Sequence, residues 1–424
     1  RARDGLHRIQ GVDRCAGADL LDGELSIAED GELKQIRERI KEASTYSPDV
    51  PQTLNATLRK YQKEGYRWMS RLNRWGAGAL LADDMGLGKT IQTIAFLLLK
   101  AQEGPALVVA PASVAPNWQT EFAKFAPSLN VTILNFAENR RAVVRNAKAG
   151  DVVITTYGLL LSVKEFLVNK HWTTICLDEA HIIKNRGAKT SAVAMRLTSD
   201  NRVMLTGTPV QNHLGELWNL FQFVNPGLLG SFEDFSRRFI VPIEQNGDKT
   251  RQQELNRIVK PFMLRRTKDK VAKELPEKEE IYQRVTMSEE EMLVYEVLRR
   301  KAEAMLLTEG AGRVSMNTLA EITRLRQCSC DIRLVEEGRS GGTGTTGSKI
   351  TALVELLQTI IEGFTTDETG KMQGGALVFS QFTSYLALIR QALDAVGIPY
   401  LYIDGSVDIK TRQNLVEKFQ NGAC

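Results

Sequence analysis

The segment from Ala79 to Leu99 constrains the fold more than any other part of this 424-residue chain. The apolar residues 79–82 are followed by a turn that contains Gly86 and Gly88, and then by an apolar helical run. Glycine lets the backbone turn tightly and direct successive N–H groups towards an anion. The order of strand, glycine-rich turn and helix therefore predicts a phosphate-binding loop at the end of a buried strand.

Two side chains at the end of this turn have the chemistry that a nucleotide requires. Lys89 can reach the β- and γ-phosphates, and the hydroxyl of Thr90 can hold Mg²⁺. Asp83 departs from the P-loop pattern, which has glycine five residues before Gly88. Because Lys-Thr after two glycines also occurs in ordinary turns, the interpretation depends on the rest of the chain.

An adjacent pair of carboxylates supports the prediction of a nucleotide-binding site. Asp178 and Glu179 directly follow the β-rich run 172–176, and two carboxylates at a strand end are costly to bury unless a metal offsets their charge. In nucleotide chemistry Asp178 would bind Mg²⁺, directly or through water, and Glu179 would orient and deprotonate the attacking water. The alternative, a plain acidic loop, is much weaker once the glycine-rich turn is considered with the pair.

A third segment, 202–212, reads as a strand that ends in small hydroxyl residues and glycine. Thr206, Gly207 and Thr208 are predicted to present hydrogen-bonding groups beside His181 in the same cleft. By itself, Thr-Gly-Thr-Pro is an ordinary turn.

Short β-rich runs alternate with helical patterns from about residue 54 to 275. This alternation predicts an α/β fold, with a parallel sheet covered by helices on both faces. In such sheets ligands bind at the carboxyl ends of the strands, where all three segments above are expected. The predicted strands are 106–110, 131–134, 152–155, 174–178 and 203–206.

The composition is that of an ordinary globular chain and excludes few functions. The net charge of +4 is too small to indicate nucleic-acid binding by itself. The apolar runs are too short for a transmembrane helix, so we expect no membrane partner. Five cysteines without Cys-x-x-Cys spacing predict reduced structural thiols, with a metal site at Cys328 and Cys330 as the weaker alternative.

Together these segments resemble the helicase-like ATPases of superfamily two, and within it the SWI/SNF-type translocases of double-stranded DNA. Gln62 stands where the family has its adenine-recognition residue, and 83–90 resembles motif I. Further segments resemble motifs Ia (108–118), Ib (154–157), II (178–181) and III (205–212), a family-specific block (262–268) and the first motifs of a second lobe (377–382 and 402–406).

The resemblance implies a domain order. Residues 1–53 would be a helical tail of a preceding domain, and 54–275 a RecA-like ATPase lobe with a helical insertion at about 214–260. A helical protrusion with a flexible glycine-rich loop would occupy 276–347, and a partial second RecA-like lobe 348–424. From Gly375 to Cys424 this lobe would have two units, each a strand followed by a helix. The family's motifs V and VI, which carry the arginine fingers, have no counterpart before Cys424. We therefore expect a truncated chain that hydrolyses ATP poorly.

The resemblance also implies ATP and Mg²⁺ as cofactors and assigns site residues. The catalytic residues would be Lys89, Asp178 and Glu179, and the metal ligands Thr90 and Asp178. The residues implied for coupling the two lobes are His181, Thr206, Gly207 and Thr208. The residues implied for ATP binding are Gln62, Asp84, Met85, Gly86, Leu87, Gly88, Lys89 and Thr90.

Contacts with double-stranded DNA are expected from short polar side chains, which suit phosphate contacts without base readout. Trp118 could stack on a base, but its helical spacing with Phe122 and Phe125 favours core packing. Arg265 and Arg266 either contact DNA or brace the two lobes. The predicted DNA contacts are Ser113, Asn117, Thr155, Thr156, Lys184, Asn185, Ser380, Gln381, Gly405 and Ser406.

The function implied is an ATP-dependent DNA translocase or remodeller that acts as a monomer on duplex DNA, with nucleosomes or RNA polymerase among its DNA-bound targets. A bacterial member would work in the cytoplasm at the nucleoid and a eukaryotic one in the nucleus; compact motif spacing favours the former. Two alternatives stay open. One is a strand-separating or RNA-directed helicase of the same superfamily, and the other a catalytically silent P-loop scaffold that recruits a transcription or chromatin partner.

Overall fold

The structure, a computed structural model, describes residues 31–209, 213–271, 279–309, 316–336, 346–366 and 372–422. The chain divides into two compact units, Arg1–Pro276 and Glu277–Cys424. This division lies next to the predicted end of the first lobe, and the finer domain boundaries stay predictions. The predictions for residues 1–30, for most of the glycine-rich loop and for Gln211 and Asn212 lie outside the described residues.

The first unit is built on one parallel sheet, which confirms the predicted α/β class. Its strands are β1 (Ala79–Leu81), β2 (Ala106–Ala110), β3 (Asn130–Ile133), β4 (Asp151–Thr156), β5 (His171–Leu177), β6 (Thr198–Leu205) and β7 (Met263–Leu264). Their order across the sheet is β3-β4-β2-β5-β6-β1-β7. All five strands predicted from β-rich runs are confirmed, whereas β7 was not expected. Every residue of β2 is buried, as in a strand covered on both faces.

Helices connect the strands. They are α1 (Gly31–Thr45), α2 (Lys60–Arg74), α3 (Lys89–Lys100), α4 (Ala115–Phe125), α5 (Arg140–Asn146), α6 (Tyr157–Ser162), α7 (Lys164–Val168), α8 (Lys189–Met195), α9 (Leu214–Val224), α10 (Phe232–Phe235), α11 (Lys249–Val259) and α12 (Lys268–Val271). Short 3₁₀ helices occupy Leu134–Phe136, Ala180–Ile183 and Lys260–Phe262, and Ser236–Gln245 is a π-helix. The predicted insertion at about 214–260 is helical throughout most of its length.

The register of the sheet brings three strand ends together. Leu81 of β1 lies opposite Leu205 of β6, and Leu177 of β5 lies opposite Met204. The ladder continues past the strands, because the N–H of Thr206 donates to the carbonyl of Leu81 at 3.2 Å. The residues that follow β1, β5 and β6 therefore share one edge of the sheet, as parallel strands require.

The second unit is mainly helical. Its elements are α13 (Glu289–Glu309), α14 (Met316–Cys328), a 3₁₀ turn (Ile332–Leu334), α15 (Ser348–Glu362), the two-residue strands β8 (Thr365–Thr366) and β9 (Met372–Gln373), α16 (Thr383–Val396) and α17 (Ile409–Gln420). A buried carboxylate joins two of these helices. Glu291 in α13 accepts hydrogen bonds from the backbone and hydroxyl of Ser348, at 2.9 and 2.6 Å, at the start of α15.

Two strands expected in the second unit are not formed, which corrects the sequence analysis. Residues 377–379 and 402–404 have no sheet partner in the part of the chain that the structure describes. Phe379 is 87% exposed, so its segment is not inside a core. A strand needs neighbours that satisfy its N–H and C=O groups. The helices predicted to follow these two segments, α16 and α17, are present.

Two findings within the described residues bear on the expectations from composition. No helix there is long and apolar enough to cross a bilayer. Cys176 and Cys328 are buried free thiols, and Cys330 is a half-buried one.

Candidate nucleotide-binding site

The glycine-rich turn joins β1 to α3 and has the predicted form. Gly86 and Gly88 have φ angles of +85° and +73°, a region that other residues rarely adopt. A Cβ atom at Gly88 would lie 2.5 Å from Nε2 of Gln62, so a side chain there would displace this amide. The loop therefore needs glycine for its backbone conformation at both positions.

Lys89 and Thr90 form the first turn of α3. Nζ of Lys89 donates to the carbonyl of Asp83 at 2.7 Å and lies 3.5 Å from that of Asp84. The ammonium is thus folded back on the loop that precedes it. Both side chains are half-buried, so each is accessible from one side.

Gln62 lies against the same loop, as its resemblance to the adenine-recognition residue implies. Its Oε1 accepts a hydrogen bond from the N–H of Arg59 at 2.9 Å, which fixes the amide at the start of α2. Its Nε2 donates to the carbonyl of Leu87 at 3.3 Å. Of the other loop residues, Leu87 is buried, Asp84 is half-buried and Met85 is exposed.

Asp178 follows β5 and is 8% exposed. Its Oδ2 accepts from Nε1 of Trp118 and its Oδ1 from the N–H of Glu179, both at 2.8 Å. Burial raises the pKa of this carboxyl above its ordinary value, although the two hydrogen bonds and the charge of Lys89 act in the opposite direction. Asp178 follows β5 and the glycine-rich loop follows β1, and the register of the sheet puts both strand ends at one edge, so the loop and the acidic pair share one site.

Glu179 has φ 47° and ψ 51°, and it is the one residue other than glycine with a positive φ in the part of the chain that the structure describes. Such a conformation costs about 1–3 kcal/mol and is concentrated at functional sites. The two adjacent carboxylates have different neighbours, since Asp178 is bonded to Trp118 whereas Glu179 lies beside His181. Oε2 of Glu179 lies 3.1 Å from Nδ1 of His181, an ion-pair distance without the alignment of a hydrogen bond.

The residues at this edge fit Mg²⁺. Each oxygen of Asp178 accepts one described hydrogen bond, which leaves acceptor capacity on the carboxylate. The described residues contain no cluster of three or more His, Cys, Asp or Glu side chains that could hold a metal alone. Mg²⁺ does not require one, because it is commonly held by one or two protein oxygens together with water and phosphates. Asp178 and the hydroxyl of Thr90 are the residues that would hold it.

The segment after β6 packs on the glycine-rich loop. Oγ1 of Thr206 accepts from the N–H of Thr208 at 3.1 Å, which shapes the turn. A Cβ atom at Gly207 would stand 3.6 Å from Cγ of Met85, an ordinary packing distance. The predicted coupling of His181 with Thr206, Gly207 and Thr208 stays a prediction.

Trp118 is buried, which confirms core packing and contradicts the base-stacking alternative. Its ring packs 5.7 Å from that of Phe122 in α4. The sequence analysis missed its second contact, the hydrogen bond to Asp178. A general rule could have indicated one, since a buried indole N–H usually finds an acceptor.

Two of the predicted DNA contacts are corrected. Thr155 and Thr156 are buried, because they end β4, a strand covered on both sides. The hydroxyl of Thr156 accepts from the N–H of Leu159 and the side chain of Asn135, both at 3.2 Å. These two side chains are therefore not presented to a phosphate.

The remaining predicted contacts in the first unit differ in availability. Ser113, Asn117 and Asn185 are exposed. Nζ of Lys184 lies 3.1 Å from Oε1 of Glu216, whose side chain is 2% exposed. A buried carboxylate holds its partner strongly, so the ammonium of Lys184 stabilises α9 against the acidic motif and is not free for DNA.

Of the DNA contacts predicted in the second unit, Gln381 and Ser406 form hydrogen bonds with other residues of that unit. Oε1 of Gln381 accepts from Arg326, and Ser380 is half-buried, whereas Gly405 is exposed. Ser406 donates from its hydroxyl and its N–H to Asp404, at 2.6 and 2.8 Å. These bonds, with one from Tyr402, lower the pKa of Asp404 to about 2.

Arg266 braces the first unit. Its Nη2 lies 2.5 Å from Oδ2 of Asp83, the residue that stands where the P-loop pattern has glycine. The sequence left open DNA contact or a brace between lobes for Arg266; its described bonds form a third arrangement, a brace within the first unit. Arg265 is exposed.

A parallel sheet with a phosphate-binding loop after β1, an acidic pair after β5 and a small-residue turn after β6 defines a RecA-like ATPase lobe. The family is more specific. The SNF2-related domain matches residues 61–334, and the chain belongs to this family. The predicted family and its class of ATP-dependent enzymes are confirmed.

Individual relatives agree with this assignment. The chain is 36% identical over 404 residues to the putative ATP-dependent helicase/translocase YwqA of Bacillus subtilis (strain 168), covering 91% of the chain and 42% of the relative. It is 34% identical to the mouse (Mus musculus) SWI/SNF-related matrix-associated actin-dependent regulator of chromatin subfamily A member 1, covering 85% and 35%. The chain thus spans less than half the length of these relatives.

A solved structure resembles the fold as well. The Sulfolobus solfataricus SWI2/SNF2 ATPase core in complex with dsDNA matches with a TM-score of 0.51 and 32% sequence identity. The match covers 89% of this chain and 78% of that one.

The contact between Trp118 and Asp178 gives a first prediction. Trp118→Phe keeps an aromatic ring in the core but removes the N–H that holds Oδ2 of Asp178. We expect the variant to fold and to bind nucleotide with an apparent Mg²⁺ affinity about tenfold weaker, because partners of ligating carboxylates typically contribute that much. Mg²⁺ titration of nucleotide binding by calorimetry measures it.

Trp172→Phe is the matched control. Trp172 is equally buried, and its Nε1 donates to the carbonyl of Leu167, away from Asp178. Equal Mg²⁺ affinity in the two variants would mean that the hydrogen bond of Trp118 only stabilises the core.

Proposed function

We propose that this chain binds Mg·ATP at the edge formed by the glycine-rich loop and the Asp178–Glu179 pair, hydrolyses it, and couples hydrolysis to movement along double-stranded DNA without separating the strands. The observation that carries the proposal is the convergence of Lys89 with Asp178. Lys89 lies after β1 and Asp178 after β5, and these two strands are on either side of β6 in the sheet. Together the two residues supply a cation for phosphate and a carboxylate for metal.

The phosphates would bind at the start of α3. The positive end of the helix dipole favours an anion there, beside the glycine-rich turn. The ammonium of Lys89 would exchange its bonds to the carbonyls of Asp83 and Asp84 for phosphate oxygens. This exchange needs little movement, since the lysine already lies at the loop.

Hydrolysis requires the two carboxylates to act differently. Asp178 and Thr90 would hold Mg²⁺, which when bound neutralises charge on the phosphate oxygens. Glu179 would accept a proton from water while the water oxygen attacks the γ-phosphorus and the bond to the β–γ bridging oxygen breaks. Their different neighbours support this division, because Asp178 is held by Trp118 whereas Glu179 lies beside His181.

Double-stranded DNA is proposed as the polymer along which the chain moves. The Sulfolobus core to which this chain is similar is described in complex with dsDNA, and the mouse relative is named a regulator of chromatin. Exposed Ser113, Asn117 and Asn185 supply short polar groups that suit phosphate contacts. We infer that the physiological targets are protein–DNA complexes, nucleosomes or RNA polymerase among them, and that the chain acts as a monomer.

Substitutions in the two motifs test the nucleotide site. Lys89→Ala should lose Mg·ATP affinity, because no other residue of the loop replaces the ammonium. Glu179→Gln should bind Mg·ATP within about twofold of wild type and hydrolyse it far more slowly in single turnover, since the amide cannot take the proton. Calorimetry and phosphate release measure the two effects.

Lys100→Ala and Glu103→Gln are controls with the same chemical changes at the far end of α3, where the two side chains form an exposed ion pair. The assignment fails if Lys89→Ala binds like Lys100→Ala, or if Glu179→Gln turns over normally. Binding without any hydrolysis in the wild type would favour the scaffold alternative.

The DNA-dependence is a separate prediction. Duplex DNA should stimulate ATP hydrolysis more than single strands of equal length, with little sequence preference, because phosphate contacts carry no sequence information. Duplex affinity should fall with salt by about 0.9 in log–log slope for each phosphate neutralised. Asn117→Ala should weaken duplex binding by several-fold, as measured by fluorescence anisotropy.

Asn130→Ala is the control, because Asn130 is also exposed but begins β3 at the opposite edge of the sheet. Stronger activation by single strands or RNA, or unwinding of labelled duplexes during hydrolysis, would decide for the helicase alternative.

A further inference from the structure

A buried ion pair connects the glycine-rich loop to β7, far away in sequence. The side chain of Asp83 is 0% exposed and that of Arg266 is 12% exposed. Arg266 approaches with the Nε–Nη2 edge of its guanidinium, Nη2 to Oδ2 at 2.5 Å and Nε to Oδ1 at 3.0 Å. This forked geometry is the strongest and most directional pairing available to a carboxylate.

The remaining polar groups of the pair are also satisfied. The N–H of Arg266 donates to Oδ1 of Asp83 at 3.1 Å, and Nη1 donates to the carbonyl of Tyr61 in α2. Nη2 donates to Oε1 of Gln92 in α3 at 2.8 Å. Gln92 is fully buried, and its Nε2 donates to the carbonyl of Gly88 at 3.1 Å. The network therefore reaches both ends of the loop.

A glycine in α2 makes room for this network. A Cβ atom at Gly65 would stand 2.0 Å from Oε1 of Gln92 and 2.8 Å from Nη2 of Arg266. Glycine inside a helix costs about 1 kcal/mol relative to alanine. Its presence at this position is explained by the space that the two polar side chains occupy.

Backbone hydrogen bonds also connect the segment around Arg266 to the glycine-rich loop. Beyond β7, the carbonyl of Leu264 accepts from the N–H of Ala82 at 2.7 Å, and that of Arg266 from the N–H of Asp84 at 3.0 Å. The N–H of Lys268 then donates to the carboxylate of Asp84 at 3.2 Å. Residues 264–268 thus run along the first half of the loop.

We propose that Arg266 is a positioning residue for the nucleotide site, which deepens the proposed function and rests on it. Its forked bond fixes Asp83, and the carbonyl of the same Asp83 holds Nζ of Lys89 at 2.7 Å. The orientation of the loop N–H groups and of the phosphate-binding lysine therefore depends on a side chain that does not touch the nucleotide. Asp83 with Arg266 supplies the rigidity of the first half of the loop, where other P-loops have glycine.

Arg266→Lys in the full chain tests the proposal. Lysine keeps a positive charge beside the buried carboxylate but cannot form the fork. The variant should bind Mg·ATP about tenfold more weakly, the effect of losing one hydrogen bond to a charged group. In the nucleotide-free chain, the amides of 86–90 should exchange hydrogen for deuterium faster than in wild type.

Arg202→Lys is the matched control. Arg202 is half-buried, and its guanidinium donates to the carbonyls of Phe223 and Leu197, at 2.8 and 3.1 Å, outside the site. It should lower the melting temperature and leave both Mg·ATP affinity and loop exchange at wild-type values. Asp83→Asn, which preserves the shape of the carboxylate, should reproduce both changes of Arg266→Lys and serves where the arginine variant does not fold.

Unchanged affinity and loop exchange in both Arg266→Lys and Asp83→Asn would overturn the proposal, as would equal changes in Arg202→Lys. If the wild-type chain does not bind Mg·ATP, the proposed function itself is wrong. In that case the exchange of the loop amides still decides whether Arg266 holds the loop.

Discussion

The hydrogen-bond ladder that joins β5, β6 and β1 is the constraint on which the rest of the first unit depends. Parallel strands in fixed register put their carboxyl ends at one edge. The pairing continues past the strands here, because the N–H of Thr206 donates to Leu81 of β1 and that of Asp178 to Val109 of β2. Residues that are distant in sequence then share one site without any flexible segment between them. A shift of register by one residue would move Asp178 to the other face of the sheet and separate it from Lys89.

The site contains two buried carboxylates that differ in their partners: Asp83 forms an ion pair, and Asp178 accepts hydrogen bonds from neutral donors. Asp83 is closed by Arg266 and Gln92, so its acceptor capacity is used inside the protein. Asp178 receives two neutral N–H donors and forms no ion pair among those the structure describes. A buried anion without a partner tends to stay protonated or to recruit a cation. The contrast supports the proposal that Asp178, and not Asp83, is the carboxylate that binds an external cation.

Patterns that are local in sequence predicted the fold and the core of the site. The period of apolar residues gave the strands, and glycines followed by Lys89 gave the loop, because both depend on neighbours along the chain.

The sequence did not show which side chains form pairs when they are far apart in the chain. Arg266 could be read as contacting DNA or bracing, and the pairing of Lys184 with Glu216 depends on where α9 packs. Thr155 and Thr156 were expected at the surface, but the ends of covered strands are themselves covered. The strands expected at 377–379 and 402–404 failed because strand formation depends on partners that a single segment does not encode.

The pairing of Asp83 with Arg266 spans 183 positions of the chain. During synthesis at the ribosome, a stretch of that length takes roughly 10 to 40 s to emerge at about 5–20 residues per second. Over this interval the nascent lobe has β1 and its loop but lacks the arginine and the seventh strand. The carboxylate of Asp83 must then stay hydrated, and the edge of β1 stays open to other chains. The pocket is thus completed only after residue 266 emerges, which makes the interval before that point the period in which a chaperone has most to protect.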